Sequence, residues 1–219
     1  MRFVVVAVGL ALFSLGCQRT EATPSATVTG ASSATAARRP VGADPGGAGT
    51  GTPLRARDGD ELAAFAGGCF WGVEDRFRQV PGVVATAVGY TGGRTANPTY
   101  ETVCSHTTGH AETVLVEYDP KQVSYQRLLD IFFANHDPTT LNRQGPDHGD
   151  QYRSAVFTFS DAQADLARTT IAREQKKLGK PVVTAVSPIG PFWKAEDYHQ
   201  QYDEKTGTHS CPLFLPKST

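Results

Sequence analysis

The sequence predicts an α/β (α+β) fold: a two-layer sandwich with a mixed β-sheet and packed helices, arranged as a ferredoxin-like plait with long loops and a C-terminal tail. Three observations support this prediction. Strand-like runs alternate with helical patterns along the chain. Capping residues flank the helical patterns. No internal repeat is visible, so the alternating elements belong to one sandwich in which helices cover the sheet.

Five runs are predicted strands because they are apolar, alternate in polarity or are rich in β-branched residues. They are Leu62–Ala66, Val83–Tyr90, Thr113–Tyr118, Ser154–Phe159 and Val182–Ser187. Two stretches between them, 91–112 and 136–153, are predicted loops because Gly, Asn, Asp and His are dense there. Long loops on a rigid scaffold are where functional sites usually lie.

Helical patterns occupy the intervals between the strands. The first follows Cys69 to about Gln79 and is stopped by Pro81-Gly82. The second follows Ser124, a natural N-cap. A short helix is also predicted near Glu196–Tyr202.

The third helix carries the most complete set of boundary signals. Ser160 and Gln163 have the spacing of a capping box, and Gly179 follows the last turn. Leu166 and Ile171 lie on one face, which we expect to be buried.

The N-terminal segment reads as an export signal. Phe3 to Leu15 is an apolar run shorter than the roughly 20 residues of a membrane span. Cys17 follows a small residue, which resembles a bacterial lipoprotein signal in which this cysteine is lipidated, although Ser14 departs from the usual aliphatic position. An ordinary cleaved signal peptide and an uncleaved anchor remain alternatives.

We therefore divide the chain into a signal peptide at 1–17, a disordered low-complexity tether at 18–57 and a catalytic domain at 58–219. The tether is dominated by Ala, Thr, Ser, Gly and Pro, and cannot bury enough apolar surface to fold. The expected location is the bacterial cell envelope or periplasm, with a lipid anchor.

Composition excludes some functions and suggests others. The formal net charge of −1 over 219 residues gives no indication of nucleic-acid binding. Without Cys17, an odd number of cysteines remains: Cys69, Cys104 and Cys211. An odd count in an exported protein indicates a reactive thiol. Met1 is the only methionine, which suits a protein that works amid oxidants.

Cys69 is the candidate nucleophile. It follows Gly67-Gly68 where a strand pattern gives way to a helical one, and Phe70 and Trp71 come directly after it. The glycines permit a sharp turn, and a helix N-terminus favours thiolate over thiol. The two aromatic side chains can form an apolar wall beside the sulfur. The alternative is a cysteine buried in a core turn.

Polar candidates lie in the two long loops. Glu112 begins an apolar strand, where burial would raise its pKa and let it act as an acid. Tyr100, Tyr152 and Asp147 can face a shared cleft. The alternatives are a solvated strand-end charge for Glu112, core packing for Tyr100 and an ordinary hydrogen-bonded loop for the other two.

Two further groups of residues invite a chemical role. Cys104, His106 and His110 resemble metal ligands, but their spacing matches no common zinc pattern, and we expect no metal site. Cys211 lies in a polar C-terminal stretch from which it can reach into a cleft and attack an oxidised sulfur. Its alternative is a structural or unpaired thiol.

Four motifs in order resemble the peptide methionine sulfoxide reductase A family, from about Ala64 to Cys211. They are the Gly68–Gly72 run, Tyr100 with the Thr-Gly-His-Ala-Glu run ending at Glu112, the Asp147–Ser154 run and Ala195–Tyr202. The resemblance implies a mixed α/β sandwich that reduces methionine sulfoxide, free or in proteins, with preference for the S epimer. It implies no bound cofactor.

In such an enzyme Cys69 attacks the sulfoxide sulfur, and Glu112 supplies the proton. Tyr100 and Tyr152 hold the oxygen. Three further residues contribute to the substrate site: Phe70 and Trp71 form an apolar wall for the methyl group, and Asp147 lines the same site.

The resemblance also implies how the enzyme is recycled. The resulting Cys69 sulfenic acid condenses with Cys211 to a disulfide, which a thioredoxin-like partner or dithiothreitol reduces. Cys104 is the alternative resolving thiol. His106 stands where the family often has Gly, which puts substrate preference in question. We expect a monomer.

Two other functions stay open at this point. A cysteine hydrolase would pair Cys69 with His110 or His199. A non-enzymatic envelope binding module would hold its cysteines in a fixed disulfide. The hydrolase needs an imidazole at the sulfur, and the binding module needs an unreactive Cys69.

Overall fold

A computed structural model describes residues 54–209 and, before them, Pro45; all of these belong to one compact unit. The predicted signal segment with Cys17, most of the predicted tether, and Cys211 in the tail lie outside the described residues. None of the helices in the described part combines the length and apolar character that a membrane span needs.

A six-stranded sheet forms the centre of the fold. The strands in chain order are β1 (Glu61–Gly67), β2 (Val83–Thr91), β3 (Ala111–Tyr118), β4 (Arg143–Gln144), β5 (Asp147–His148), β6 (Ser154–Thr158), β7 (Ala185–Pro188) and β8 (Trp193–Lys194). The order across the sheet is β7-β6-β1-β3-β2-β8, while β4 and β5 form a separate hairpin. All neighbours in the sheet pair antiparallel except β6 and β7.

Five helices accompany the sheet. They are α1 (Phe70–Arg78), α2 (Tyr100–Cys104), α3 (Tyr125–Ala134), α4 (Asp161–Leu178) and α5 (Tyr202–Thr206). Single 3₁₀ turns occur at Asp150–Tyr152 and Asp197–His199. The inner strand order β6-β1-β3-β2, with α1 and α3 as connections, is the ferredoxin-like plait that the sequence predicts, and this prediction is confirmed.

The main core lies between the sheet and the helices α1, α3 and α4. Phe65 of β1 stacks on Phe77 of α1 with ring centroids 4.8 Å apart, and its ring centroid lies 5.2 Å from that of Phe132 in α3. A smaller cluster on the opposite face of the sheet gathers around Leu115, and Phe192 from the segment before β8 covers it. The helices therefore form one layer and the sheet the other, as predicted.

The predicted helix starts are largely correct. Ser124 Oγ accepts a hydrogen bond from the Arg127 amide at 3.2 Å. Ser160 Oγ accepts one from the Gln163 amide at 3.2 Å. The capping box is only half formed, because Gln163 Oε1 accepts from the Phe159 amide rather than from that of Ser160. The glutamine side chain thus fixes the residue before the cap.

The prediction that Leu166 lies on the buried face of α4 is wrong. Its side chain is 40% exposed, while Ile171 is partly buried against the core. Ala164 and Ala167 form the closest contacts of this helix with the core instead. Small side chains permit a close approach of helix and sheet. The prediction used the positions of the large apolar residues, and these did not identify the buried face.

Short elements inside the predicted loops account for most other differences. The stretch 91–112 contains α2, and the stretch 136–153 contains the β4–β5 hairpin and a 3₁₀ turn. The strand predicted at Val182–Ser187 begins only at Ala185. The helix predicted at Glu196–Tyr202 is a 3₁₀ turn followed by α5. Elements of two to five residues are too short to produce a periodic pattern.

Candidate active site

Cys69 stands at the junction of β1 and α1. It is the N-cap of α1, and the helix follows it as predicted. Gly68 before it has φ +102°, a conformation that favours glycine. A Cβ on Gly68 would lie 2.5 Å from Gln144 Cγ. Both backbone conformation and crowding therefore require glycine directly before the cysteine.

Gln144 fixes the β4–β5 hairpin against this junction. Its Oε1 accepts a hydrogen bond from the Asp137 amide at 3.1 Å, and its Nε2 donates to the Asp137 carbonyl at 3.2 Å. The methylene groups of the same side chain pack on Gly68. The hairpin that carries Asp147 is thereby held next to Cys69.

Glu112 is buried beside the nucleophile. It lies in β3 opposite Tyr90 and is only 2% exposed. Its Oε2 accepts a hydrogen bond from the amide of Phe70, the residue after Cys69, at 3.1 Å. Burial raises the pKa of Glu112 well above its usual value, and negative charge on Cys69 and Asp147 adds to the rise, while the Phe70 bond opposes it. The carboxyl group is thus poised to carry a proton.

Tyr100 and Tyr152 reach the same site from different elements. Tyr100 begins α2, and Tyr152 ends the 3₁₀ turn before β6. Burial raises the pKa of both phenols, and for each the charge of Glu112 contributes to the rise. Both hydroxyl groups therefore stay protonated and can donate hydrogen bonds.

Cys104 ends α2 and lies near Tyr100. Burial raises the pKa of its thiol, and a hydrogen bond with the Tyr100 side chain opposes the rise only in part. This environment favours the thiol over the thiolate, so Cys104 is poorly suited to act as a nucleophile.

The two aromatic residues after Cys69 have different positions. Phe70 is 1% exposed and forms part of the core. Trp71 is half-buried, and its Nε1 donates a hydrogen bond to His199 Nδ1 at 3.1 Å. The Trp71 ring also stacks on Tyr202 with centroids 4.0 Å apart and planes 12° apart. Trp71 is therefore the accessible aromatic wall, and Phe70 supports it from below.

Glu196 and His199, which sequence reasoning did not assign to the reductase site, hold these aromatic groups in place. Glu196 Oε1 accepts from the Tyr100 amide at 2.9 Å, and its Oε2 accepts from the Tyr90 hydroxyl at 3.1 Å. His199 packs its ring 4.8 Å from that of Tyr100. Both residues lie in the Ala195–Tyr202 motif, so the resemblance located them without showing what they do.

An apolar cavity of about 400 Å³ opens on the other side of Cys69, between α1, α3 and the β4–β5 hairpin. We call it the Cys69 groove, and it is lined among others by Cys69, Val73, Ile131, Phe132, Pro146 and Asp147. Of the predicted site residues, only Cys69 and Asp147 line it. Its walls come from three elements far apart in the sequence, so no local motif marked it.

Both ring nitrogens of His110 are engaged in hydrogen bonds. Its Nδ1 accepts a hydrogen bond from the Gly93 amide at 3.1 Å, and its Nε2 donates to the Thr95 carbonyl at 2.8 Å. His199 is also engaged, because its Nδ1 accepts from Trp71. The hydrolase alternative therefore lacks an available base in these two residues.

Within residues 54–209, no group of three or more His, Cys, Asp or Glu side chains is arranged to hold a metal.

His106, at the position where the family often has Gly, adopts a left-handed conformation with φ +60°. This backbone conformation favours glycine, which explains the family preference. The His106 ring Nδ1 lies 2.9 Å from Gln151 Oε1. The side chain is therefore tied to the 3₁₀ turn that carries Tyr152.

The chain is similar to proteins of one family. The sequence model of the family "Peptide methionine sulfoxide reductase" matches residues 61–218. Peptide methionine sulfoxide reductase A2 of Arabidopsis thaliana is 54% identical over 160 residues, which cover 73% of this chain and 73% of that protein.

Solved structures agree as well. The reduced form of Mxr1 from Saccharomyces cerevisiae superposes with a TM-score of 0.68 at 39% identity, covering 72% of this chain and 93% of the other. Mxr1 in its complex with Trx2 gives a TM-score of 0.52 at 30% identity, covering 75% and 95%.

Proposed function

Because the chain belongs to the peptide methionine sulfoxide reductase A family, which reduces methionine sulfoxide and is recycled by thioredoxin, we propose that Cys69 and Glu112 carry out the reduction here. The observation that carries the assignment is the buried Glu112 carboxyl bonded to the amide directly after Cys69. A nucleophile and an acid thus stand side by side at one helix start.

In the first step the Cys69 thiolate attacks the sulfoxide sulfur. The oxygen gains negative charge and needs a proton, because oxide is a poor leaving group. Glu112 Oε2 is engaged by the Phe70 amide, so we assign the acidic proton to Oε1. Tyr100 and Tyr152 donate hydrogen bonds to the same oxygen and stabilise its charge. The bond between the two sulfur atoms and the S–O bond of the substrate then break as the hydroxyl group passes to Cys69 Sγ, which leaves methionine and a Cys69 sulfenic acid.

In the second step the Cys211 thiol attacks the sulfenic sulfur of Cys69. The S–S bond forms, the S–O bond breaks and water leaves, so Cys211 is oxidised while Cys69 is reduced. A thioredoxin-type dithiol, or dithiothreitol in its place, then reduces the disulfide by exchange. Burial of the Cys104 thiol, which disfavours its thiolate, supports Cys211 over Cys104 in this role.

This arrangement is selective for one epimer of the sulfoxide, and the family resemblance implies that it is the S epimer. A sulfoxide sulfur is pyramidal, with an oxygen, a methyl group and the rest of the side chain. When the oxygen points to Glu112 and the tyrosines, only one epimer can direct its methyl group to Trp71. The other epimer would place a polar oxygen or the bulk of the substrate against that apolar wall.

The test uses residues 58–219 with dithiothreitol and each epimer of N-acetyl-methionine sulfoxide, in a quantitative assay of methionine. We expect product from the S epimer and at least about a hundredfold less from the R epimer, a difference of roughly 2.7 kcal/mol. Cys104→Ser serves as a control that keeps both the activity and the preference. Equal turnover of the two epimers would contradict the assigned positions of Trp71 and Glu112.

The proposed setting is the bacterial cell envelope, where a monomer lipidated at Cys17 repairs oxidised proteins. Support comes from the apolar run before Cys17 and from the low-complexity composition of residues 18–57, which are dominated by Ala, Thr, Ser, Gly and Pro. Cell fractionation with mass analysis of the mature N-terminus tests this: the native chain should fractionate with membranes, and Cys17→Ser should not. An unmodified native N-terminus in the soluble fraction would contradict it.

A further inference from the structure

Apart from Cys69 and Asp147, the Cys69 groove is lined by residues that have no assigned part in the first step. Glu112, Tyr100 and Trp71 do not line it, whereas Val73, Ile131 and other apolar side chains do. Its volume of about 400 Å³ is within the range of ligand pockets. Because the groove is apolar and Cys69 stands at its edge, it suits an apolar occupant that is close to Cys69 at some stage of the reaction.

We infer that the groove receives the apolar triplet Leu213–Leu215 of the C-terminal tail when Cys211 is joined to Cys69. This inference rests on the proposed role of Cys211 as the resolving thiol. It adds a binding surface and its occupant to that role.

The reach of the chain limits where the triplet can lie. The Cα atoms of two disulfide-bonded cysteines are usually about 4.4–6.8 Å apart. Leu213 and Leu215 follow Cys211 by two and four residues, so their Cα atoms lie within about 7 and 14 Å of it. With Cys211 joined to Cys69, any surface that the triplet contacts must therefore adjoin Cys69.

The composition of the tail favours the groove among those surfaces. Pro212 and Pro216 flank the triplet, and proline favours an extended chain both at its own position and before it. An extended Leu-Phe-Leu segment presents apolar side chains in alternate directions. The reaction site holds the half-buried hydroxyl groups of Tyr100 and Tyr152 beside the buried Glu112 carboxyl, and these polar groups match such a segment poorly.

The attachment of the tail also directs it towards the groove. Gln200 bonds Val88 through both ends of its side-chain amide, at 2.9 Å in each case, which fixes the chain just before α5. Trp71 of α1 faces α5, whereas Val73 lines the groove. α5 and the groove therefore adjoin the same helix, and Cys69 stands at the N-terminal end of that helix.

Docking of the triplet raises the effective concentration of the Cys211 thiol at the sulfenic acid. The first step does not use the groove, so loss of docking should slow resolution and leave methionine formation unchanged. These two rates can be measured separately in one experiment.

The experiment uses the full chain, reduced, freed of dithiothreitol and mixed with methionine sulfoxide. Methionine is quantified over time, and the sulfenic acid is trapped with a dimedone-type probe at intervals and measured by mass spectrometry. In Phe214→Asp we expect methionine to form at the native rate and the sulfenic acid to disappear about tenfold more slowly or worse. Ser218→Asp introduces the same charge beyond the triplet and should behave like the native chain.

A variant on the groove side completes the test. Ile131→Gln keeps side-chain length and helix propensity but makes the groove polar, and we expect it to slow resolution as well. Native resolution rates in Phe214→Asp would overturn the inference. So would an Ile131→Gln variant that resolves normally but has a raised KM for oxidised peptides, because the groove would then bind substrate.

The Cys211→Ser variant distinguishes a failure of the docking inference from a failure of the proposed role of Cys211 as the resolving thiol. If its sulfenic acid accumulates while Phe214→Asp resolves normally, only the docking inference fails. If Cys211→Ser still forms a disulfide at the native rate, the assignment of Cys211 fails first.

Discussion

Cys69→Ser is expected to abolish methionine formation, with kcat/KM below about one ten-thousandth of the native value. A serine hydroxyl at the same position remains protonated at neutral pH and is a far weaker nucleophile toward sulfur than a thiolate. The assay is methionine release from the S epimer in the presence of dithiothreitol. The substitution replaces one atom at an N-cap position, so the fold should be retained.

Stoichiometry without reductant gives the control. Native protein and Cys211→Ser should each release one methionine per chain, because both retain the first step. Cys104→Ser should match the native chain, since the Cys104 thiol takes no part in the proposed cycle. A Cys69→Ser protein that still releases one equivalent would assign the nucleophile to another cysteine.

Glu112→Gln is expected to lower kcat by about a hundredfold or more, because it removes the proton donor for the sulfoxide oxygen. The side-chain amide oxygen can still accept the hydrogen bond from the Phe70 amide, so the junction at Cys69 should keep its geometry. The measurement is single-turnover methionine formation. Glu101→Gln, the same change at an exposed position of α2, should leave the rate unchanged.

The pH dependence should identify the acid. The protonated form of Glu112 is the active one, so native activity should fall as pH rises through its raised pKa. In Glu112→Gln this alkaline decline should disappear, while Glu101→Gln should retain it. An unchanged decline in Glu112→Gln would assign the proton to a different group.

The stability of the fold should also fall as pH rises through the titration of Glu112. A carboxyl whose folded-state pKa is raised binds its proton more tightly in the native than in the unfolded state. Its contribution to stability is therefore present below the unfolded pKa of about 4.3 and is lost as pH rises through the folded pKa. Urea unfolding should show Glu112→Gln to be more stable than the native protein at alkaline pH.

Long periodic segments made most of the fold predictable. The inner strands and the three long helices emerged from apolar patterning, and Ser124 and Ser160 marked helix starts that the structure retains. What escaped prediction was short or depended on packing. The strands β4, β5 and β8 have two residues each, and the buried face of α4 is formed by alanines rather than by Leu166.

The residues of the candidate site could be predicted where their sequence neighbours indicate their role. Cys69 follows two glycines, and Glu112 begins an apolar strand, so each carries its own signal. The roles of Gln144 and Glu196 depend on contacts across more than 70 residues, with Gly68 and Tyr100 respectively. Such contacts produce no pattern in a single sequence, because the partners meet only after the sheet has formed.

The contact of Trp71 with His199 and Tyr202 has a consequence for protein engineering. A shortened enzyme, cut before α5 to remove Cys211, the proposed recycling cysteine, would also lose the Tyr202 ring that stacks on Trp71, the proposed substrate wall. The two half-reactions are thus physically joined in one segment, although they use different cysteines. A single-turnover reagent for detecting oxidised methionine should therefore be made by replacing Cys211, with residues 195–207 left intact.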